Sequence, residues 1–182
     1  MLCERLPIVG RLVHSKSSRF PVNVRYGNIV SGLPIVDNSC AGIYASHVLE
    51  HLSLGEMRGA LVNTYRMLTS GGVFRCVVPD LNAIARKYVH STSPTAAHEL
   101  MRELGMARES SPKSLLEYAK LVFGRSLHLW MWDERSLMLE LRSVGFHEVR
   151  RCEYGDATDS MFTLVEDRGR FANSVALEGR KL

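Results

Sequence analysis

The sequence predicts an α/β fold with a largely parallel sheet, and three observations support this class. Residues 43–80 have the order of an apolar strand, a helix and a second buried strand, which is typical of a parallel βαβ unit. Strand and helix patterns then alternate along the rest of the chain. The last two predicted strands are joined by a loop without a clear helix, so we expect an antiparallel pair at one edge of the sheet.

The helix of this βαβ unit has clear start and stop signals. Ser53 and Glu56 form an S-x-x-E capping box, which predicts that a helix begins there. The glycine pair at 71–72 is expected to end it, because glycine adopts positive φ without a steric penalty. Residues 73–78 are apolar except for Arg75, which predicts a strand covered on both faces.

Polar residues follow both strands of the unit. Ser46 and His47 follow the first, and Pro79 and Asp80 follow the second. In open α/β sheets, ligands bind beyond the carboxyl ends of the strands, so we expect any site there. Asp80 is also a suitable N-cap for a following helix.

The 182 residues are expected to form one domain. It comprises an amphipathic N-terminal segment over residues 1–21 and a helical insertion over the sheet at residues 91–124. The remaining predicted elements are a strand at 22–26, a helix after Asp80 that carries Leu81, Ile84 and Tyr88, a helix at 96–104, a helix from Pro112 that ends before Gly124, a helix at 133–144, and strands at 146–154 and 174–178.

Composition narrows the class of protein. Apolar residues make up 46% and charged residues 23% of the chain, as in ordinary globular proteins. The net charge of +4 is scattered, which gives no clear indication of nucleic-acid binding, and no apolar run is long enough to span a bilayer. The four cysteines lie far apart and no signal peptide is evident, so we expect reduced thiols in a cytoplasmic protein.

A histidine pattern follows the first strand of the unit. His47, Glu50 and His51 match H-x-x-E-H, the inverted zinc-protease signature. In that signature a helix fixes the spacing of the two histidines, whereas here the predicted helix begins only at Ser53. No third ligand is evident downstream, so the sequence predicts no metal site. The structural alternative is one histidine at the strand end and another packed at the helix start.

Four blocks of sequence, in order, carry a resemblance to a known family. They are GLPIVDNSCAGIYASHVLEHL, RMLTSGGVFRCVVPDL, LHLWMWDERSLMLELRSVGF and SVALEGRK. Together they resemble the S-adenosylmethionine-dependent class I methyltransferases, most closely the small type-eleven branch, over residues 22–182. The resemblance implies a Rossmann-like sheet and methyl transfer from S-adenosylmethionine to an unknown acceptor. The acceptor would attack the sulfonium methyl in line, and the protein would contribute mainly proximity and orientation.

Two family features are missing from the sequence. The family opens with a strand, a glycine-rich cofactor turn and a second strand that ends in an acid, and none of these is present. We therefore expect an N-terminally truncated sheet that lacks its first two strands. Asn28 stands where the family has an aspartate facing the adenine, and Ala41 stands where an aspartate opens the fourth strand.

The missing strands would leave the strand at 43–45 without a neighbour on one side. We expect this edge to be completed by a second copy of the chain or by a partner chain, unless the true start lies upstream. A further alternative is that the predicted strand at 22–26 pairs there. The resemblance also allows a different function, in which a catalytically silent domain binds a partner or itself through the exposed strand.

The resemblance assigns candidate site residues but no catalytic residue. Asn28 and Ile29 match the adenine side of the cofactor, and Ser46 and His47 match its methionine end. The candidates for contact with the acceptor substrate are His51, His128 and Trp132. For Trp132 and its neighbour Trp130, packing is the alternative role.

Overall fold

The computed structural model describes residues 24–108, 110–114 and 127–182. It confirms the predicted α/β class, with one mixed four-stranded sheet in the order β1-β2-β4-β3. The strands are β1 (Cys40–Ser46), β2 (Leu68–Pro79), β3 (His147–Cys152) and β4 (Ser174–Arg180). The helices are α1 (Leu54–Met67), α2 (Leu81–His90), α3 (Ala96–Glu103), α4 (Glu134–Val144) and α5 (Arg168–Phe171). Two 3₁₀ turns cover Leu49–His51 and Ser160–Leu164.

The strand pairing determines which strands run parallel and which lie at the edges of the sheet. β1 and β2 run parallel, with Ser46 opposite Val77, and α1 connects them as the crossover helix. β4 lies antiparallel between β2 and β3, so the predicted antiparallel pair near the C-terminus is confirmed. Within the described residues β1 pairs only with β2, which makes it an edge strand.

The predicted caps of α1 and α4 are confirmed. The Ser53 hydroxyl accepts a bond from the Glu56 backbone N–H, and the Glu56 carboxylate accepts one from the Ser53 backbone N–H. Asp133 caps α4 through the Ser136 backbone N–H at 2.8 Å. Gly145 then ends α4 with a φ of 111°. Both helices pack against the sheet through their apolar faces, as the helical spacing of those residues predicts.

The prediction for the glycine pair at 71–72 was wrong. The helix α1 already ends at Met67, and β2 begins at Leu68 instead of Val73. The glycines lie in a bulge of β2, where five residue steps from Leu68 to Val73 face two steps from Cys40 to Gly42 in β1. Gly71 has a φ of 77°, so the positive φ expected of a helix stop serves a strand bulge.

The strand predicted at 22–26 is not formed over its described residues, 24–26. Tyr26 is 96% exposed and Val24 is 54% exposed, and neither belongs to a strand or pairs with β1. An alternating pattern gives a strand only when a neighbour supplies the hydrogen-bond ladder, and none is present here. Residues 111–114 are likewise not helical, and the segments 1–23 and 115–126 lie outside the described residues.

The core lies between the sheet and the helices α1 and α4. Strand β2 is buried without interruption from Val73 to Val78, so the prediction of a strand covered on both faces is confirmed. The main apolar residues of the core come from α1, β2, α4 and β4. They include Met57, Leu61, Phe74, Cys76, Val78, Leu137, Leu141, Val175 and Leu177. This packing holds β1 and β2 in a fixed register and thereby positions the residues at their carboxyl ends.

Candidate functional site

The chain turns sharply where β1 ends. His47 has a φ of 53°, in the left-handed region where histidine is one of the more frequent residues besides glycine. Its backbone N–H still donates to the Val77 carbonyl at 2.8 Å, so the turn begins directly at the end of the sheet. The 3₁₀ turn Leu49–His51 follows and places Glu50 and His51 beneath the carboxyl end of β1.

Glu50 is the central side chain of this turn. It is fully buried, with 0% of its surface exposed. Neither of its carboxylate oxygens is hydrogen-bonded to any described residue. The Nδ1 atom of His47 lies 3.3 Å and the Nε2 atom of His51 lies 4.0 Å from its Oε1 atom. The turn therefore surrounds a buried carboxylate with histidines.

A distant loop closes over the same carboxylate. The backbone N–H groups of Leu129 and Trp130 donate to the Glu50 carbonyl at 2.7 and 3.2 Å. His51 Nδ1 bonds to the Leu127 carbonyl at 3.2 Å. These bonds bring the ring of His128 edge-on to that of His51, with centroids 5.0 Å apart. One ligand atom each from Glu50, His51 and His128 then lies within 4.8 Å of the other two.

The surroundings of His47 and His128 shift their pKa values in opposite directions. The nearby Glu50 carboxylate raises the pKa of His47, whose Nε2 atom bonds to the Arg170 carbonyl at 2.9 Å. Burial removes water from His128 and lowers its pKa. Of these two imidazoles, His47 therefore takes up a proton at a higher pH than His128.

The predicted site residues near the end of β1 are brought together. Ser46 precedes His47, and its Oγ atom is buried without a hydrogen-bond partner among the described residues. His51 and His128 lie in contact, as described above. Trp132 follows on the same loop and bridges to Asp80 at the carboxyl end of β2, but its side chain lies in the core, where it is 1% exposed. Its carbonyl accepts a bond from Leu81 N–H at 2.8 Å, so it joins the start of α2 to the loop before α4.

Asn28 and Ile29 are not brought to this end of the sheet. Asn28 accepts the Val30 backbone N–H on its Oδ1 atom at 3.0 Å, within a surface turn. The Ile29 carbonyl accepts a bond from the Asn63 side chain at 2.8 Å, which docks the turn on the second half of α1. Asn63 lies ten residues beyond Ser53, which is roughly 15 Å along the helix axis at 1.5 Å per residue. The two predicted ends of a cofactor site are thus separated in the structure.

Sequence reasoning missed Glu50 as a site residue. It stood between two histidines in the H-x-x-E-H pattern, and that spacing was the signal that could have found it. The zinc-protease signature places its ligands on one helix, whereas here a 3₁₀ turn and a loop distant in sequence bring the three side chains together.

A groove lies between the carboxyl end of β3 and α5. Its volume is about 350 Å³. The Arg168 guanidinium lies over the Tyr154 ring at 5.2 Å from the centroid, which makes part of its wall basic and aromatic. The residues that line it are Arg151, Cys152, Glu153, Tyr154, Arg168, Phe171 and Ser174. Because α5 also carries the Arg170 carbonyl that binds His47, the groove opens near the same end of the sheet.

Comparisons with known proteins give likeness of structure only. No protein-family model matches the chain, and no curated protein matches it in sequence. Similar solved structures include one from the Haloferax volcanii complex of the Trm112 methyltransferase activator, with 14% identity, 85% of this chain and 59% of that chain covered, and a TM-score of 0.46. A SAM-dependent methyltransferase from Archaeoglobus fulgidus is 14% identical, with 87% of this chain and 66% of that chain covered and a TM-score of 0.46. A SAM-dependent methyltransferase from Thermotoga maritima is 18% identical, with 84% of this chain and 61% of that chain covered and a TM-score of 0.45.

This chain spans less than two thirds of the length of each of these three proteins. With identities below 25% and TM-scores below 0.5, the likeness adds no evidence about activity or site residues.

Among the described residues, no helix is both long and apolar enough to cross a bilayer.

Proposed function

We propose that this chain is an S-adenosylmethionine-dependent methyltransferase-like domain that acts on an unknown acceptor. The observation that supports the proposal most is the arrangement of the four sequence blocks that resemble this family. They form β1, β2, α4 and β4, which are adjacent parts of one sheet and its covering helix. The blocks thus agree with one another in space as well as in order.

The described residues suit such a cofactor at one end only. Ser46 has a buried hydroxyl with no hydrogen-bond partner in the described part of the chain, at the carboxyl end of a parallel strand. This is where a ligand is expected in an open α/β sheet. Asn28 already uses its Oδ1 atom in a turn on α1, so it does not suit the adenine in this conformation. We therefore assign Ser46 and His47 to the methionine end, while the roles of Asn28 and Ile29 stay sequence predictions.

The residues of the chain would bind and orient the reactants. The cofactor, when bound, supplies a methyl group on a positively charged sulfur. Ser46 would donate a hydrogen bond to the methionine end of the cofactor, and the left-handed turn at His47 would fix the direction in which the chain leaves the pocket. His51 and His128 lie at the same end of the sheet, so an acceptor that binds there would contact their imidazole rings. In this arrangement proximity and orientation are the main contributions of the protein.

The test is calorimetric titration of S-adenosylmethionine and S-adenosylhomocysteine into the purified chain. We expect micromolar binding that weakens by up to about tenfold in Ser46→Ala, because a single hydrogen bond contributes about 0.5–1.5 kcal/mol. Ser70→Ala is the matched control, since Ser70 is exposed in the β2 bulge near the opposite end of the strand. A folded chain that binds neither compound, or equal losses in both variants, would contradict the proposal.

The free edge of β1 favours a second function, a catalytically silent domain that binds a partner or a second copy of itself. Within the described residues the far side of β1 has no neighbouring strand, and an exposed edge is a template for pairing with another chain. Light scattering on the same sample measures the mass of the particle in solution. A dimer that dissociates when Ile43 is replaced by proline would support pairing through this edge, and a monomer at high concentration would exclude self-association.

A further inference from the structure

We propose that Glu50, His51 and His128 form a binding site for a divalent transition-metal ion of the zinc class. One donor atom from each residue lies within 4.8 Å of the other two. The sequence predicted no metal site because it showed no third ligand near the H-x-x-E-H pattern. The structure supplies that third ligand from the loop before α4, which packs on Glu50 through two backbone hydrogen bonds.

The buried carboxylate is the observation that points to a cation. Glu50 is 0% exposed, and both of its oxygens lack a hydrogen-bond partner among the residues that the structure describes. An ionised carboxylate without partners is strongly destabilising in a protein interior, so such groups are normally paired or coordinated to a metal. The His47 Nδ1 atom lies 3.3 Å from Oε1, so a protonated His47 forms an ion pair with that oxygen, whereas Oε2 has no partner among the described residues. A bound cation would satisfy both oxygens.

His51 is held in the orientation that a ligand requires. Its Nδ1 atom bonds to the Leu127 carbonyl at 3.2 Å, so this nitrogen carries the proton and donates. The lone pair is then on Nε2, which lies 4.0 Å from the Glu50 Oε1 atom. Metal-binding histidines typically donate their other ring nitrogen to a carbonyl or carboxylate in this way.

His128 is positioned by the fold in a similarly specific way. Its ring packs against Gly105, where an added Cβ atom would lie only 2.5 Å from the His128 Nδ1 atom. The absence of a side chain at Gly105 therefore makes room for the imidazole. The backbone bonds from Leu129 and Trp130 to the Glu50 carbonyl fix the loop on the other side. Both histidines are held close to the carboxylate before any ion binds.

The donor set and its size indicate the kind of ion. One carboxylate and two imidazoles are ligands that zinc binds in its catalytic sites, where a fourth position stays open for water or substrate. A triangle of donors with sides of at most 4.8 Å has its centre no more than about 2.8 Å from each donor, against bonds of about 2.0–2.2 Å to zinc. Side-chain rotations that move each donor inward by about 0.7 Å would close the site.

The experiment is calorimetric titration of Zn²⁺ into the chelator-treated full chain, without S-adenosylmethionine. We expect one equivalent to bind, with affinity at least tenfold lower in His128→Ala and in Glu50→Gln. His147→Ala is the control, because His147 is exposed and begins β3, at the opposite edge of the sheet from β1. Replacing Zn²⁺ by Co²⁺ should give visible absorption bands in the parent chain that His128→Ala loses.

Three outcomes would overturn the site. A chain that is folded by circular dichroism and binds no Zn²⁺ would do so, as would an equal loss of affinity in His147→Ala and His128→Ala. The third outcome concerns Glu50→Gln. Glutamine keeps the shape of the glutamate side chain, so this test remains valid even if His128→Ala does not fold. At the same Zn²⁺ concentration the melting temperature of the parent chain should rise by more than that of Glu50→Gln, so an equal rise in both would contradict the proposal. Because no S-adenosylmethionine is present, failure here leaves the proposed methyltransferase function untouched.

Discussion

Arg75 is a charged residue in the middle of the buried strand β2, and its side chain has no exposed surface. Its guanidinium donates to Glu178 and to Asp156, each at 3.0 Å, and it also pairs with Glu166. A further donor bonds to the Glu153 carbonyl at 2.6 Å. Arg75 and Glu178 face each other directly in the antiparallel register of β2 and β4. The buried charge is therefore fully compensated by hydrogen-bonded partners.

Replacing Arg75 with methionine should lower the free energy of unfolding by about 3–5 kcal/mol, because it removes the counter-ion of the buried Glu166 and one of the two arginines that pair with Glu178. Urea denaturation measures the loss. Arg151→Met, at an exposed position of β3 that pairs with Glu134, should cost less than about 1 kcal/mol. The double variant Arg75→Met/Glu178→Leu should recover part of the stability, and a double variant as unstable as the sum of its single changes would contradict this account.

Some of the partners of Arg75 could be identified from the sequence and others could not. The single charge in residues 73–78 was visible in the sequence, and so was Glu178, the one acidic residue of SVALEGRK and the partner of Arg75. Asp156 and Glu166 were not identifiable, because they come from the loop between β3 and β4 and reach Arg75 only after that loop folds over the sheet. Trp132 is similar, since its place in the core depends on the contact between its loop and the start of α2.

At the scale of elements, the ends of α1 and α4 follow from a few neighbouring residues, and the start of β2 does not. Cap residues act within one turn of helix, so Ser53, Asp133 and Gly145 determine those ends locally. The bulge of β2 depends on its pairing with β1. An added Cβ atom at Gly72 would lie 2.9 Å from the Thr69 carbonyl oxygen and 3.1 Å from that of Cys40. Gly72 is thus required by the approach of two backbone segments.

The variant Gly72→Ala should therefore destabilise the protein by about 1–3 kcal/mol, since backbone atoms cannot move aside as a flexible side chain does. Gly55→Ala is the matched control. Gly55 lies in the first turn of α1 with nothing within 4 Å of an added Cβ atom. Alanine there should stabilise the protein by about 0.5–1 kcal/mol, because glycine is the poorer helix former. Thermal and urea unfolding would measure both changes, and a neutral Gly72→Ala would show that the bulge is not as tight as described.

At the scale of the whole molecule, carboxylates hold separate elements together and make stability depend on pH. Glu140 of α4 accepts two bonds from Arg58 of α1, at 2.7 and 2.9 Å, and this guanidinium lowers the pKa of Glu140. The Ser136 backbone N–H lowers the pKa of Asp133 at the start of α4. A carboxyl whose pKa is lower in the folded chain than in the unfolded chain stabilises the fold above its unfolded pKa. That contribution is lost as the pH falls through its folded pKa.

We therefore expect the urea midpoint to fall as the pH drops below about 4.5, the ordinary range of aspartate and glutamate. Glu140→Gln should lower the midpoint at pH 6 and flatten part of this decline, because glutamine has no charge to lose. Glu148→Gln, at a side chain that is 73% exposed, should leave the slope unchanged. Parallel pH profiles for the parent chain and Glu140→Gln would contradict a role for this ion pair.

The sequence by itself determined the α/β class, the capped helices, the buried strand and the antiparallel pair near the C-terminus. Each of these depends on signals within a few residues, such as the capping box at Ser53 or the apolar run after Gly72. Only the tertiary structure decided that β2 begins with a bulge, that the turn at Asn28 docks on α1, and that His128 meets His51 beside Glu50. Those contacts join parts of the chain that are far apart in sequence, and they follow from packing and loop closure, for which a local pattern carries no signal.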